Sequence, residues 1–140
     1  VLFPSERCTA RPDSASCLRK TARWNRISKD AAIQSGRGRV PRVVCAPSFE
    51  AAARAAAKAG LPLFFYEEER LLGFRAALES RENPKTASIV TGPEGGFTPE
   101  EAAFAVEAGM LSVTLGPRIL RCETAPICAV TGVMLYTGNM

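Results

Sequence analysis

The sequence predicts an α/β fold in which helices cover both faces of a parallel sheet. Short apolar runs alternate with helical segments from residue 42 to the end. The runs are continuously apolar instead of alternating with polar residues, as strands buried on both faces are. With 140 residues and 46% hydrophobic content, the chain suits one domain that buries a core without cross-links.

Taken in order, residues 1–3 read as a short strand and 4–18 as a polar loop. Between 21 and 35 the residues Trp24, Ile27, Ser28, Ala31, Ala32 and Ser35 fall at helical spacing, which predicts a helix with Trp24 in the core. Gly36 ends it. Residues 42–46 are a β-rich run. Pro47 and Ser48 open an alanine-rich helix that stops at Gly60. Residues 61–66 form the next strand, and Glu67, Glu68 and Glu69 an acidic loop. A helix near 72–80 precedes a strand at 88–91.

The following helix carries its own start signal. Thr98 is the N-cap, Pro99 takes the first helical position, and Glu101 completes a capping box. Gly109 ends that helix. A strand at 112–115, a loop at 116–123 and a helix at 124–136 close the chain. Thr124 can cap this last helix, and Pro126 sits in its first turn, where a missing N–H costs little.

Several function classes are excluded. No apolar run of about 18 residues is present, and no basic-then-apolar leader. The five cysteines are odd in number and show no C-x-x-C, which argues against a disulfide framework and a zinc site. They read as reduced, small hydrophobes of a cytoplasmic protein. The absence of histidine removes imidazole ligands and bases, and no metal is expected.

The net charge of +4 is unevenly placed. Residues 1–42 hold ten Lys/Arg, Arg11 among them, against Glu6, Asp13 and Asp30, a net +7 that leaves −3 for the rest. A basic end on a mildly acidic body suggests a polyanion partner.

Two loops carry the chemistry. Both leave the carboxyl ends of predicted strands, where open parallel sheets bind ligands. If those strands are neighbours, both loops line one crevice. The first, 92–97, holds three glycines in five residues around one carboxylate, Glu94. That pattern suggests a tight turn with a ligand on bare backbone. A side chain at Gly92 is expected to fill the ligand's place. The loop is neither a P-loop nor G-x-G-x-x-G. The second loop sets apolar Ile119 and Leu120 between Arg118 and Arg121. The two apolar residues can cap a core or wall an adenine ring, and the arginines can face a phosphate or carboxylate.

"GPEGGFTPEE" at 92–101 followed by "LGPRILRCETA" at 115–125 resembles the bacterial small-subunit ribosomal RNA uracil-N3 methyltransferases, of the knotted SPOUT class. "FPSER" at 3–7 and "RWNRISKDAAIQSGRGRVP" at 23–41 are similar to the same family, so the likeness covers nearly the whole chain. The resemblance implies a C-terminal trefoil knot, S-adenosylmethionine as cofactor, a homodimer, and methylation of N3 of a uridine in small-subunit (16S) ribosomal RNA. It implies that residues 1–140 are a catalytic domain truncated at its N-terminus, without the family's PUA-like RNA-binding domain. Knotted ribose 2′-O-methyltransferases and a non-catalytic RNA-binding module are the alternatives.

Matched residue by residue, Gly92, Pro93, Glu94 and Gly95 correspond to the first cofactor motif. Leu115, Gly116, Ile119, Leu120 and Arg121 correspond to the second. The strand at 61–66 would supply a third wall through Tyr66 or Glu67. Cys122 stands where the family often has threonine, and Pro126 where a helix former is usual. For the N3 proton the candidate bases are Glu94 and Glu123. Arg121 or Arg118 could stabilise the uracil oxyanion. Arg7, Arg37 and Arg39 are expected on RNA phosphates.

Overall fold

The computed structural model describes residues 1–8 and 14–140. Arg11, Asp13 and part of the expected 4–18 loop lie outside the described residues. Eight elements run in the order α1 (Ser14–Gln34), α2 (Phe49–Ala56), β1 (Leu61–Phe65), α3 (Phe74–Glu79), β2 (Ala87–Thr91), α4 (Pro99–Glu107), β3 (Leu111–Val113) and α5 (Thr124–Tyr136). None of the described helices is long and apolar enough to cross a membrane.

The three strands form a parallel sheet in the order β2-β1-β3, with Leu63 of β1 beside Ile89 on one side and Leu111 on the other. All five residues of β1 are buried, as a central strand covered on both faces requires. Its side chains divide the core. Phe64 points into a cluster with Phe49 and Ala53 of α2, Ala102 and Ala105 of α4, and Phe97. Leu61, Leu63 and Phe65 join the other cluster with Ala77 and Leu78 of α3 and Ala129 and Val133 of α5. The rings of Phe3, Phe49 and Phe64 pack around Phe97, closest Phe64 with centroids 4.5 Å apart.

Between β2 and β3 the chain crosses from one side of β1 to the other. The two chemistry-bearing loops therefore leave strands that are not neighbours, so the condition set for a shared crevice is not met by adjacency. They flank β1 and meet over its carboxyl end. Residues 66–73 straddle the end of β3. Tyr66 N donates to Val113 O at 3.2 Å on one side. On the other side Thr114 N donates to Leu72 O at 2.9 Å, and Phe74 N to Thr114 O at 3.1 Å. Glu69 stiffens this bracket by accepting from Arg70 N and Leu71 N at 2.9 and 2.8 Å. A hydrogen bond from Ser112, together with these, lowers the Glu69 carboxyl below its ordinary pKa.

The N-terminal third departs most from expectation. α1 begins at Ser14, inside the stretch read as loop, and its bonds to residues 41–43 are polar. Ser28 Oγ donates to Pro41 O at 2.6 Å, and Asn25 both donates to Val43 O and accepts from Val43 N at 2.9 Å. Of the residues read as its packed face, Ala32 is buried and Trp24 and Ser28 half-buried, whereas Ile27 is 52% exposed, so the spacing marks the packed side only in part. The expected strands at 1–3 and 42–46 reduce to a single bridge between Leu2 and Cys45. Cys17 and Cys45 form a disulfide, which corrects the reading of all five cysteines as reduced. The polar stripe that seats α1 on residues 41–45 is what brings the two thiols together. At the other end, α5 has Glu123 as its N-cap without a side-chain bond, so Thr124 is not the cap.

Candidate functional site

A cavity of about 540 Å³ opens over the carboxyl end of β1. Its volume falls in the range of small-molecule sites. Three segments wall it: 65–70 after β1, 91–96 after β2, and 113–125 between β3 and α5. The site residues expected there are there: Tyr66, Gly92, Pro93, Glu94, Gly95, Leu115, Gly116, Ile119, Leu120, Arg121 and Glu123. Arg7 also lines it, although the sequence placed it on RNA phosphates. Arg37 and Arg39 do not; they are exposed in the loop that follows α1.

The glycine loop is shaped by protein at its back. Gly96 N donates to Pro93 O at 2.9 Å, closing a turn, and Gly96 itself has φ +69°. A Cβ there would strike the Glu67 carboxylate, which accepts from Phe97 N at 2.9 Å. At Gly92 a Cβ would lie 3.1 Å from the Phe97 ring. The expectation that Gly92 leaves room for a ligand is thus corrected: the room it leaves is taken by Phe97. The glycines allow a fully buried aromatic ring and a carboxylate to press against the turn. The capping box forms as expected, with Glu101 N donating to Thr98 Oγ1 at 3.2 Å and Thr98 N donating to Glu101 at 2.9 Å.

The second loop is loosely held. Thr114 Oγ1 accepts from Gly116 N and donates to Gly116 O, both at 3.2 Å. Arg121 O accepts from Thr124 N and Ala125 N, which starts α5. Between these anchors Ile119 is 78% exposed, while Leu115 and Leu120 are half-buried. Arg118 and Arg121 are exposed beside them.

The ionisable groups of the cavity influence one another. Cys122 Sγ donates to Glu123 Oε2 at 3.0 Å. This hydrogen bond, with burial and the nearby charges of Glu123 and Glu94, pushes the Cys122 thiol up to about 11. The same hydrogen bond lowers the Glu123 carboxyl. Cys122 is therefore a protonated donor at neutral pH, not a nucleophile. Burial, then a hydrogen bond to Glu68 at 3.2 Å, raises the Tyr66 phenol. The sequence reading missed Arg70, whose guanidinium holds the carbonyls of Glu67 and Glu69 at 2.7 and 2.9 Å. An arginine next to three consecutive acids was the available signal.

Comparisons with known proteins agree with this geometry. A family model described as an RNA methyltransferase domain matches residues 1–134. The chain is 35% identical over 141 residues to the ribosomal RNA small subunit methyltransferase E of Bacillus subtilis, covering 98% of this chain and 55% of that protein. It is 34% identical to the protein of the same name from Mycobacterium bovis, covering 99% and 53%. Among solved structures, ribosomal RNA small subunit methyltransferase E from Neisseria gonorrhoeae, bound to S-adenosyl methionine, superposes with a TM-score of 0.76 at 34% identity, covering 94% of this chain and 52% of that one. A Legionella pneumophila protein solved with the cofactor SAM gives 0.83 at 30% identity, covering 95% and 53%. The chain thus spans about half the length of the relatives it matches.

Proposed function

The chain belongs to the RNA methyltransferase domain family, and from that premise we propose that residues 1–140 are the catalytic domain of an S-adenosylmethionine-dependent enzyme that methylates N3 of a uridine in small-subunit ribosomal RNA. The observation that carries this reading is the single cavity shared by residues 91–96 and 113–125. Its lining suits the cofactor. Leu115, Ile119 and Leu120 offer an apolar wall for an adenine ring, with the backbone of 92–95 opposite. Arg118 and Arg121 suit a carboxylate or phosphate.

When bound, S-adenosylmethionine supplies a sulfonium methyl group, whose carbon–sulfur electron pair leaves with sulfur as uracil N3 takes the methyl. The chain's own task is to orient uracil and remove the N3 proton. Glu94 is favoured as the base, because the Glu123 carboxylate is already engaged by the Cys122 thiol and its pKa is lowered. Arg121 and Arg118 line the same cavity, which supports a role in offsetting charge on the uracil oxygens.

The same reading extends to partners. α5 is apolar around its circumference, yet Ile127 is 67% exposed and Val130 and Leu135 are also uncovered, which supports a homodimer through this helix. The bracket of residues 66–73 around β3 is compatible with a C-terminal knot. Arg37 and Arg39 are exposed, which suits contact with RNA phosphates, and a ribosomal RNA substrate supports a cytoplasmic location.

Incubation of the complete protein with small-subunit RNA and labelled S-adenosylmethionine, followed by nucleoside mass spectrometry, tests this. 3-Methyluridine is the expected product. A ribose-methylated nucleoside would transfer the assignment to the 2′-O class. Absence of both transfer and cofactor binding would leave an RNA-binding module.

A further inference from the structure

Arg7 lies in the cavity with Glu94 and Arg121, and its place there is fixed from behind. The buried Glu101 carboxylate does more than close the capping box at Thr98. It also accepts from Glu6 N at 3.0 Å and from the buried Ser5 hydroxyl at 3.3 Å. The two residues before Arg7 are thereby moored to the start of α4, across more than ninety positions of chain. Arg7 itself presses on the glycine loop so closely that a Cβ at Gly95 would lie 2.9 Å from its carbonyl oxygen.

The guanidinium, in contrast, is hardly used. Among the described residues it makes one long hydrogen bond, 3.4 Å to Gly95 O, and the rest of its five donors are available. Its charge is felt at the Tyr66 hydroxyl, where it opposes the rise caused by burial and Glu68. The other cations of the cavity are differently placed. Arg70 is committed to two carbonyls, and Arg118 and Arg121 ride on the loosely held second loop. Arg7 is the cation whose backbone is anchored and whose head group is free. Glu67, Glu68, Glu94 and Glu123 line the same cavity.

We propose that Arg7 is a catalytic residue that binds the oxygens of the target uracil, and that Glu101 is the positioning residue that delivers it. The inference rests on the uridine-N3 reading above. As the N3 proton passes to Glu94, the electron pair left on N3 spreads onto O2 and O4. A planar guanidinium donates to such an oxygen as its charge develops. A phosphate-tracking arginine needs no such mooring beside the glycine loop.

Kinetics of the complete protein on small-subunit RNA test this with Arg7→Ala, Arg7→Lys and Glu101→Gln. Arg7→Ala is expected to lower kcat by about a hundredfold. It should move the pH–rate profile to higher pH, because the N3 proton is harder to remove, and leave S-adenosylmethionine affinity within about twofold by calorimetry. Arg7→Lys should recover part of kcat. Glu101→Gln should lower kcat in the wild type but not further in the Arg7→Ala background. A wild-type kcat and pH profile in Arg7→Ala, or a loss confined to RNA affinity and restored by low salt, would overturn the proposal while leaving the uridine reading intact. A wild-type enzyme that makes no 3-methyluridine overturns both.

Discussion

The two loops that form the cavity look alike as sequence, each a glycine-bearing turn between strand and helix, and they are built in opposite ways. Residues 92–97 are pinned: Phe97 behind Gly92, Glu67 against Gly96 and Arg7 against Gly95. Residues 114–123 are open: no atom lies within 4 Å of a Cβ at Gly116, and Ile119 stands out from the surface. The first loop is therefore preformed, and its composition answers to the protein. The second answers to whatever fills the cavity. Preorganisation on one side lets binding order only the other, which limits the entropic cost.

Substitutions can break this contrast. The largest effect is expected at the pinned loop. Phe97→Ala removes a fully buried ring from among Phe3, Phe49 and Phe64, and should cost about 3–5 kcal/mol of stability in denaturant unfolding. A loss below about 1 kcal/mol would mean that the loop does not depend on its backing.

Ile119→Ala should do the reverse. Stability should stay within about 0.5 kcal/mol, while calorimetry should show S-adenosylmethionine binding weakened by about tenfold. Unchanged affinity would remove the second loop from the cofactor wall.

The smallest effect concerns the thiol between the two acids. With a pKa of about 11, Cys122 is protonated at pH 8 and should resist alkylation, more than the exposed Cys128 does. Glu123→Gln removes the main cause of the rise, so the thiol pKa should fall and thiolate become more abundant at the same pH. Because a less basic thiolate is also less nucleophilic, alkylation followed by mass spectrometry should quicken by at most about tenfold. Equal rates in both proteins would sever the link between Cys122 and Glu123.

What the sequence made legible was local. The capping box of α4 needs only Thr98, Pro99 and Glu101, and α5 spans the very residues its apolar run predicted. The two loops were legible because glycine density and stranded apolar residues are themselves local signals. What escaped was non-local. Nothing near Arg7 announces Gly95, which lies 88 positions away. Gly92 was read as a vacancy for ligand because the partner that fills it, Phe97, could not be oriented from its position in the chain. The helix at α1 was assigned its face from apolar and small residues, of which Ser28 and Ala32 do pack; the spacing missed Asn25, because the helix docks on an extended segment that needs backbone partners. The Cys17–Cys45 pair follows from that docking, over a separation of 28 residues.

The hydrogen bonds on both sides of Thr114 impose an order of events during biosynthesis. Leu72 and Phe74 emerge from the ribosome some forty residues before the threonine they clasp, so their amide and carbonyl groups wait in water or in temporary pairings. The third strand can be seated against this bracket only after the chain has been made through Thr114. The cavity over the central strand therefore cannot take its final shape until its latest-made wall has arrived.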